Sequence, residues 1–180
     1  HVSIHAGVGA GIILDHHLYT GLAGTAGEAG HMIVQPGGRS CPCGNHGCLE
    51  QYISEPAVLS RYRELSGRTT VSIDDLVWAY NQKETAALAV TDEFTTYLAC
   101  GINNLWNLFS PECIILNCQL TAYLPQLLPE ILQKLSPRFR ATCHLKLSTL
   151  QDTGVLLGAA KVCISKYLGT EKLYFSGLQP

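Results

Sequence analysis

Charge is scarce in this chain. Only 14% of its residues are charged, and the formal net charge is −2. No dense Lys/Arg stripe occurs, so a broad attraction to nucleic acid or to an anionic membrane is not expected. The nearest basic group, Lys134, Arg138, Arg140 and Lys146, reads as a helix end, a loop and a strand flank. No apolar run reaches the length of about eighteen residues that a membrane-spanning helix needs. A leader pattern of basic and then apolar residues is missing from the first positions. HVSIHAGVGAGIIL opens directly on strand-like residues, and the expectation is a chain cut from a longer one. A native edge strand is the alternative.

Cysteine, by contrast, is plentiful, with 8 residues. Cys100, Cys113, Cys118, Cys143 and Cys163 stand singly in apolar segments, where free cysteine packs as a small hydrophobe. Only Cys41, Cys43 and Cys48 cluster. This split fits a reducing cytoplasm better than a secreted disulfide scaffold.

The apolar fraction of 47% over 180 residues is that of an ordinary folded domain. Residues 1–5 predict a strand, 6–11 a glycine turn, 12–14 a second strand with His16 and His17 in or near the next turn, and 30–35 another strand. Helices are expected over 49–53, from Glu55-Pro56 to the stop at Gly67, from the Ser72 cap through DDLVWAYNQ, over 84–109, over 121–135 with interruptions at Pro125 and Pro129, and over 154–167. Strands ECIIL and CHLKL alternate with the later helices, which is the pattern of an α/β fold. The small residues Ala86, Ala87, Ala89, Ala99 and Gly101 suggest a surface for packing another helix. The tail EKLYFSGLQP receives no role.

Three segments carry candidate chemistry. In VSIHAGVGAGII, Gly7, Gly9 and Gly11 suggest a vestigial phosphate-binding turn, with a ligand-free glycine hairpin as the alternative. It lacks the Gly-Lys-Ser/Thr of a Walker loop and the following helix of a dinucleotide fingerprint. The second and third are GEAGHM and CPCGNHGCLE. Three thiols over eight positions point to a metal held with a fourth ligand, against a plain cluster of buried thiols. His31 and His46 are the candidates. His46 lies close between Cys43 and Cys48, whereas His31 can arrive from the preceding segment once Pro36-Gly37-Gly38 turns the chain. The set His31, Cys41, Cys43 and Cys48 is therefore favoured, within a loop spanning 31–50. A closed set of this kind implies a structural ion. Glu28 and Glu50 taken alone are equally well a loop carboxylate and a charge in a first helical turn.

HAGVGAGII at 5–13, GLAGTAGEAGHM at 21–32 and CPCGNHGCLE at 41–50 together resemble the ROK family of repressors, open reading frames and kinases. SPECIILNCQL and STLQDTGVLLGAA are similar to its later segments. The resemblance implies an actin-like, ribonuclease-H-like fold, with residues 1–180 forming mainly the C-terminal lobe of a two-lobed protein. It implies sugar contacts from Glu28, His31 and Glu50, and a structural Zn2+ on His31 with the three cysteines. It also implies a homodimer or higher even oligomer, and DNA contact only through an N-terminal domain absent from this sequence.

Two departures bear on function. Kinases of the family have Gly-Thr-Gly where His5-Ala6-Gly7 stands here, and a glycine pair where Asn117-Cys118 stands. Nothing in this sequence corresponds to their catalytic aspartate. The resemblance thus favours the sugar-sensing and oligomerisation portion of a transcriptional regulator. The inducer would be a monosaccharide or sugar phosphate, acting on DNA affinity by a population shift. The N-acetylglucosamine- and xylose-responsive repressors are the nearest analogies. The alternatives are the C-terminal part of an ATP-dependent hexose kinase and a metal-stabilised interaction domain without a ligand.

Overall fold

In the computed structural model residues 1–150 and 153–169 are described, and they divide into two units, 1–148 and 149–180. The second unit contributes one helix, α8 (Thr153–Leu168), with no buried residue among those described. The tail segment 171–180 lies outside the described residues.

A four-stranded sheet organises the first unit, in the order β2 (Val8–Ala10), β1 (Val2–Ile4), β5 (Cys113–Cys118), β6 (His144–Leu147). β1 runs antiparallel to β2 and parallel to β5, with Val2 opposite both Ala10 and Leu116. β5 and β6 are also parallel. Val2, Ile4, Val8, Ile114 and Leu116 are buried on this sheet, as alternation and β-branching require.

The helices of this unit are α1 (Glu50–Ile53), α2 (Glu55–Ser66), α3 (Ile73–Asn81), α4 (Thr85–Phe109), α5 (Gln119–Tyr123), α6 (Leu127–Lys134) and α7 (Pro137–Thr142). Their ends follow local chemistry. Ser54 caps α2 by accepting from the Ala57 amide, and Gly67 ends it with φ 70°. Ser72 and Asp75 form a reciprocal capping box on α3. The long run of α4 stops at Ser110, φ 45°, just before Pro111.

Helix α4 carries the core. Val90, Phe94, Leu98, Ile102 and Leu105 are buried along it at helical spacing, and α1, α2, α3 and α6 all pack on it. Small residues expected to receive another helix do so within this unit. Ala87 and Ala99 are buried, and a Cβ on Gly101 would lie 2.5 Å from Leu49 Cδ2.

Several expected elements differ. The glycine stretch is largely strand, because its V-G-A alternation lets β2 pair with β1. Residues 12–14 leave the sheet. β3 (Ile13–Leu14) pairs with β4 (His17–Leu18) in a separate hairpin, so His17 begins a strand. Its turn holds Asp15 and His16 at φ 51° and 67°, the left-handed geometry of tight hairpins. Residues 30–35 form no strand. Ala29–His31 make a 3-10 turn, and only Ile33 bridges to Cys48. The helix expected over 121–135 divides into α5 and α6 before and after Pro125, while Pro129 fits within the first turn of α6, where its missing N–H has no helical acceptor to lose. Arg138 and Arg140 lie on α7 rather than in a loop.

Phe94 is 1% exposed. Phe94→Ala is expected to lower stability by about 3–5 kcal/mol, read as a shifted midpoint in denaturant unfolding.

Candidate functional site

The segment Gly27–His31 lies directly on β2. A Cβ on Gly27, which has φ 92°, would fall 2.0 Å from the Ala10 carbonyl oxygen, and one on Gly30 would fall 2.4 Å from that of Val8. Only glycine permits such backbone approach. The Ala10 amide donates to the Gly27 carbonyl at 2.7 Å. Between and beyond these glycines stand Glu28, with a side chain 69% exposed, and His31 at 36%. The His31 Nε2 is 3.8 Å from Glu28 Oε2. The same ring turns Nδ1 toward Cys41 Sγ, at 3.6 Å.

His31, Cys41, Cys43 and Cys48 converge, with one ligand atom from each within 4.8 Å of all the others. Cys43 Sγ and Cys48 Sγ are 3.7 Å apart. A zinc ion bonded to sulfur at about 2.3 Å in a tetrahedron needs ligand atoms about 3.8 Å apart. The observed spacings of 3.6 and 3.7 Å match that edge, and the donor set of three sulfurs and an imidazole suits a soft or borderline cation. His46 is exposed and outside the group.

Cys41 and Cys48 are buried, Cys43 exposed. In the absence of a cation the sulfurs titrate apart. Donation from the Asn45 backbone, followed by the Cys41 thiol, holds Cys43 at about 7. Burial, with the neighbouring sulfurs adding to it, pushes Cys48 up to about 12. A bound cation would favour thiolate at the three cysteines and neutral imidazole at His31. Loop closure depends on Gly47, which has φ 80° and whose Cβ would sit 1.7 Å from the Gln35 carbonyl oxygen.

Glu50, the first residue of α1, turns back to the sheet. Its Oε2 accepts the Val8 amide at 3.0 Å, and a Cβ on Gly7 would lie 3.2 Å from the same oxygen. The amides of Ala10 and Gly11 are paired with the carbonyls of Gly27 and His1. None of Gly7, Gly9 and Gly11 has positive φ, so an alternating anion nest is not formed there. The segment is a hairpin arm that holds a carboxylate. Sequence reasoning missed this role of the Val8 amide, which leaves no side-chain signature.

His5 faces buried Asn117, with Nε2 and Nδ2 3.3 Å apart. The parallel register Ser3↔Asn117 brings these two positions together at the ends of β1 and β5. That neighbourhood was available from the two strands had their pairing been known.

A family model described as the ROK family matches residues 1–166. A xylose repressor of Bacillus spizizenii is 32% identical over 177 residues, covering 96% of this chain and 46% of that protein. The DNA-binding transcriptional dual regulator NagC of Escherichia coli is 34% identical over 138 residues, covering 72% of this chain and 34% of its own length. The chain thus spans under half the length of these relatives. Among solved structures, a ROK hexokinase from Thermus thermophilus superposes with a TM-score of 0.74 at 26% identity, over 88% of this chain and 54% of its own. A ROK family transcriptional regulator, homologous to the E. coli MLC protein, gives 0.68 at 31%, over 81% and 40%. The four-stranded sheet and its helices are accordingly those of the actin-like, ribonuclease-H-like fold that kinases and regulators share.

In the metal-free protein, Cys43 is expected to alkylate with iodoacetamide with a midpoint near pH 7, while buried Cys48 stays unmodified through mildly alkaline pH. Peptide mass spectrometry across a pH series checks this. Equal labelling of the two residues at every pH would contradict it.

Proposed function

This chain belongs to the ROK family, and on that premise we propose that it is the sugar-sensing and oligomerisation portion of a transcriptional regulator. Its bounds would be 1–180, with a zinc-binding loop over 31–50. The observation that carries the reading is the contact between His5 and Asn117. It occupies the strand ends where kinases resembling this chain have glycine-rich nucleotide segments. In this reading the His5 ring crowds the expected phosphate turn, and the neighbouring amides of Val8 and Gly11 are already engaged. Repressors at 30–34% identity support the same reading.

In this reading Glu28 and Glu50 accept hydrogen bonds from hydroxyls of a monosaccharide or sugar phosphate. Glu50 is oriented for this by Val8, which holds one carboxylate oxygen. His31 uses Nδ1 on the metal side and leaves Nε2, which faces Glu28, to meet a hydroxyl. Carboxylates and an imidazole placed around one ligand distinguish hydroxyl geometry by direction. Zinc, held by His31, Cys41, Cys43 and Cys48, supplies conformational order and no reaction step. Sugar binding would shift a homodimer or higher even oligomer between states of different DNA affinity, with DNA contacted by another part of the full-length protein in the cytoplasm. Among the described residues no helix is long and apolar enough to cross a membrane.

Calorimetry of the full-length protein against a panel of monosaccharides and their phosphates tests the reading, together with metal analysis and an ATP-turnover assay. One zinc per chain, sugar binding without sugar-dependent ATP consumption, and a loss of about 1–3 kcal/mol on Glu28→Gln are expected. ATP turnover at ordinary kinase rates would instead identify a hexose kinase. Unchanged affinity after substitution of Glu28, His31 and Glu50 together would remove this site.

A further inference from the structure

We infer that Arg39 is the positioning residue of this site, locking the metal loop to the helix that carries Glu50 and to the long core helix α4. The inference rests on the sugar-site reading above. The problem it solves is visible in α1. That helix has four residues and no side-chain cap, so it cannot by itself fix the direction of Glu50 or its distance from the metal ligands.

Arg39 lies two positions before Cys41 and reaches both sides of the problem. Its backbone amide donates to the Tyr52 hydroxyl at 2.9 Å. Its carbonyl receives the Gly47 amide at 2.7 Å, next to Cys48. One guanidinium nitrogen donates to the Gln51 carbonyl at 2.8 Å, and another to Glu93 on α4. The guanidinium also stacks over the Tyr52 ring, 4.6 Å from its centroid. Gln51 in turn donates its side-chain amide to Cys41 Sγ at 3.6 Å. One residue therefore touches the loop at Gly47, the two residues following Glu50, and α4.

The anchor is fixed independently. Glu93 also receives Arg61 Nε at 3.1 Å, and Tyr52 stacks on Tyr97 of α4 with centroids 4.0 Å apart. The side chains of Arg39 and Glu93 are only 36% and 23% exposed, so solvent screens this pair less than a surface one. A planar fork that donates in two directions while stacking on a ring is specific to arginine, because lysine offers a point charge.

The test compares full-length wild type with Arg39→Met, Arg39→Lys and Glu93→Gln. Loss of zinc to a chromogenic chelator, sugar affinity by calorimetry and thermal unfolding are measured on each. Arg39→Met is expected to speed zinc loss and weaken sugar binding by about ten-fold, the lower range for groups that support metal ligands. Arg39→Lys should not rescue either value, and Glu93→Gln should give a smaller change in the same direction. Zinc loss and sugar affinity like wild type in Arg39→Met, or full rescue by Arg39→Lys, would overturn the inference. If Arg39→Met does not fold, Glu93→Gln decides by its zinc-loss rate, with a wild-type rate overturning the inference. A wild type that holds zinc but binds no sugar removes the sugar reading, and the zinc-loss rates then judge Arg39 alone. A wild type that holds neither overturns both.

Discussion

The backbone of β2 is the surface on which the candidate site is laid. Its carbonyls at Val8 and Ala10 face Gly30 and Gly27, respectively, so closely that a Cβ on either glycine would collide. Its Val8 amide holds Glu50. Glu28 and His31 thus come from a segment pressed on this strand, and Glu50 from a helix tied to it. β2 is itself held by pairing with β1, which pairs with β5 in the middle of the sheet. Polar groups that would drift on free loops are in this way referred to the hydrogen-bonded sheet.

The metal loop solves a different difficulty. Between Gln35 and Leu49 few apolar side chains are available to bury, and the turns use left-handed glycines at 37, 44 and 47. Apolar burial there is small against the entropy of ordering such a segment. A cation held by the four converging donors would add its binding free energy to the folded arrangement. His31 makes the connection direct. One side of its ring belongs to the ligand group and the other faces Glu28, so ordering the loop also orients a polar face beside the exposed carboxylate.

Much of this was legible in the residues. Gly67 and Ser72 mark helix ends as a glycine stop and a serine cap, and the apolar periodicity of α4 needs no partner to be seen. The convergence of His31 with three cysteines follows from spacing and ligand type. What stayed hidden depends on neighbours distant in sequence. The strand expected over 30–35 fails because Gly30 is occupied by backbone contact with Val8 and no partner strand lies alongside. The glycine stretch looks like an anion turn until β2 is seen to pair with β1 and its amides to be taken. Small residues on α4 leave open which helix they receive until Leu49, at the head of α1, is found against Gly101. In each case the deciding contact lies between segments that no local pattern joins.

The central claim is that metal order and sugar recognition are one structural unit through His31, Glu28 and Glu50. The most direct measurement is the sugar affinity of the full-length protein as purified, after removal of its metal, and after zinc is restored. The account predicts that affinity falls on stripping, with the protein still folded by circular dichroism, and returns with one equivalent of zinc. An affinity that is the same in all three states would contradict it.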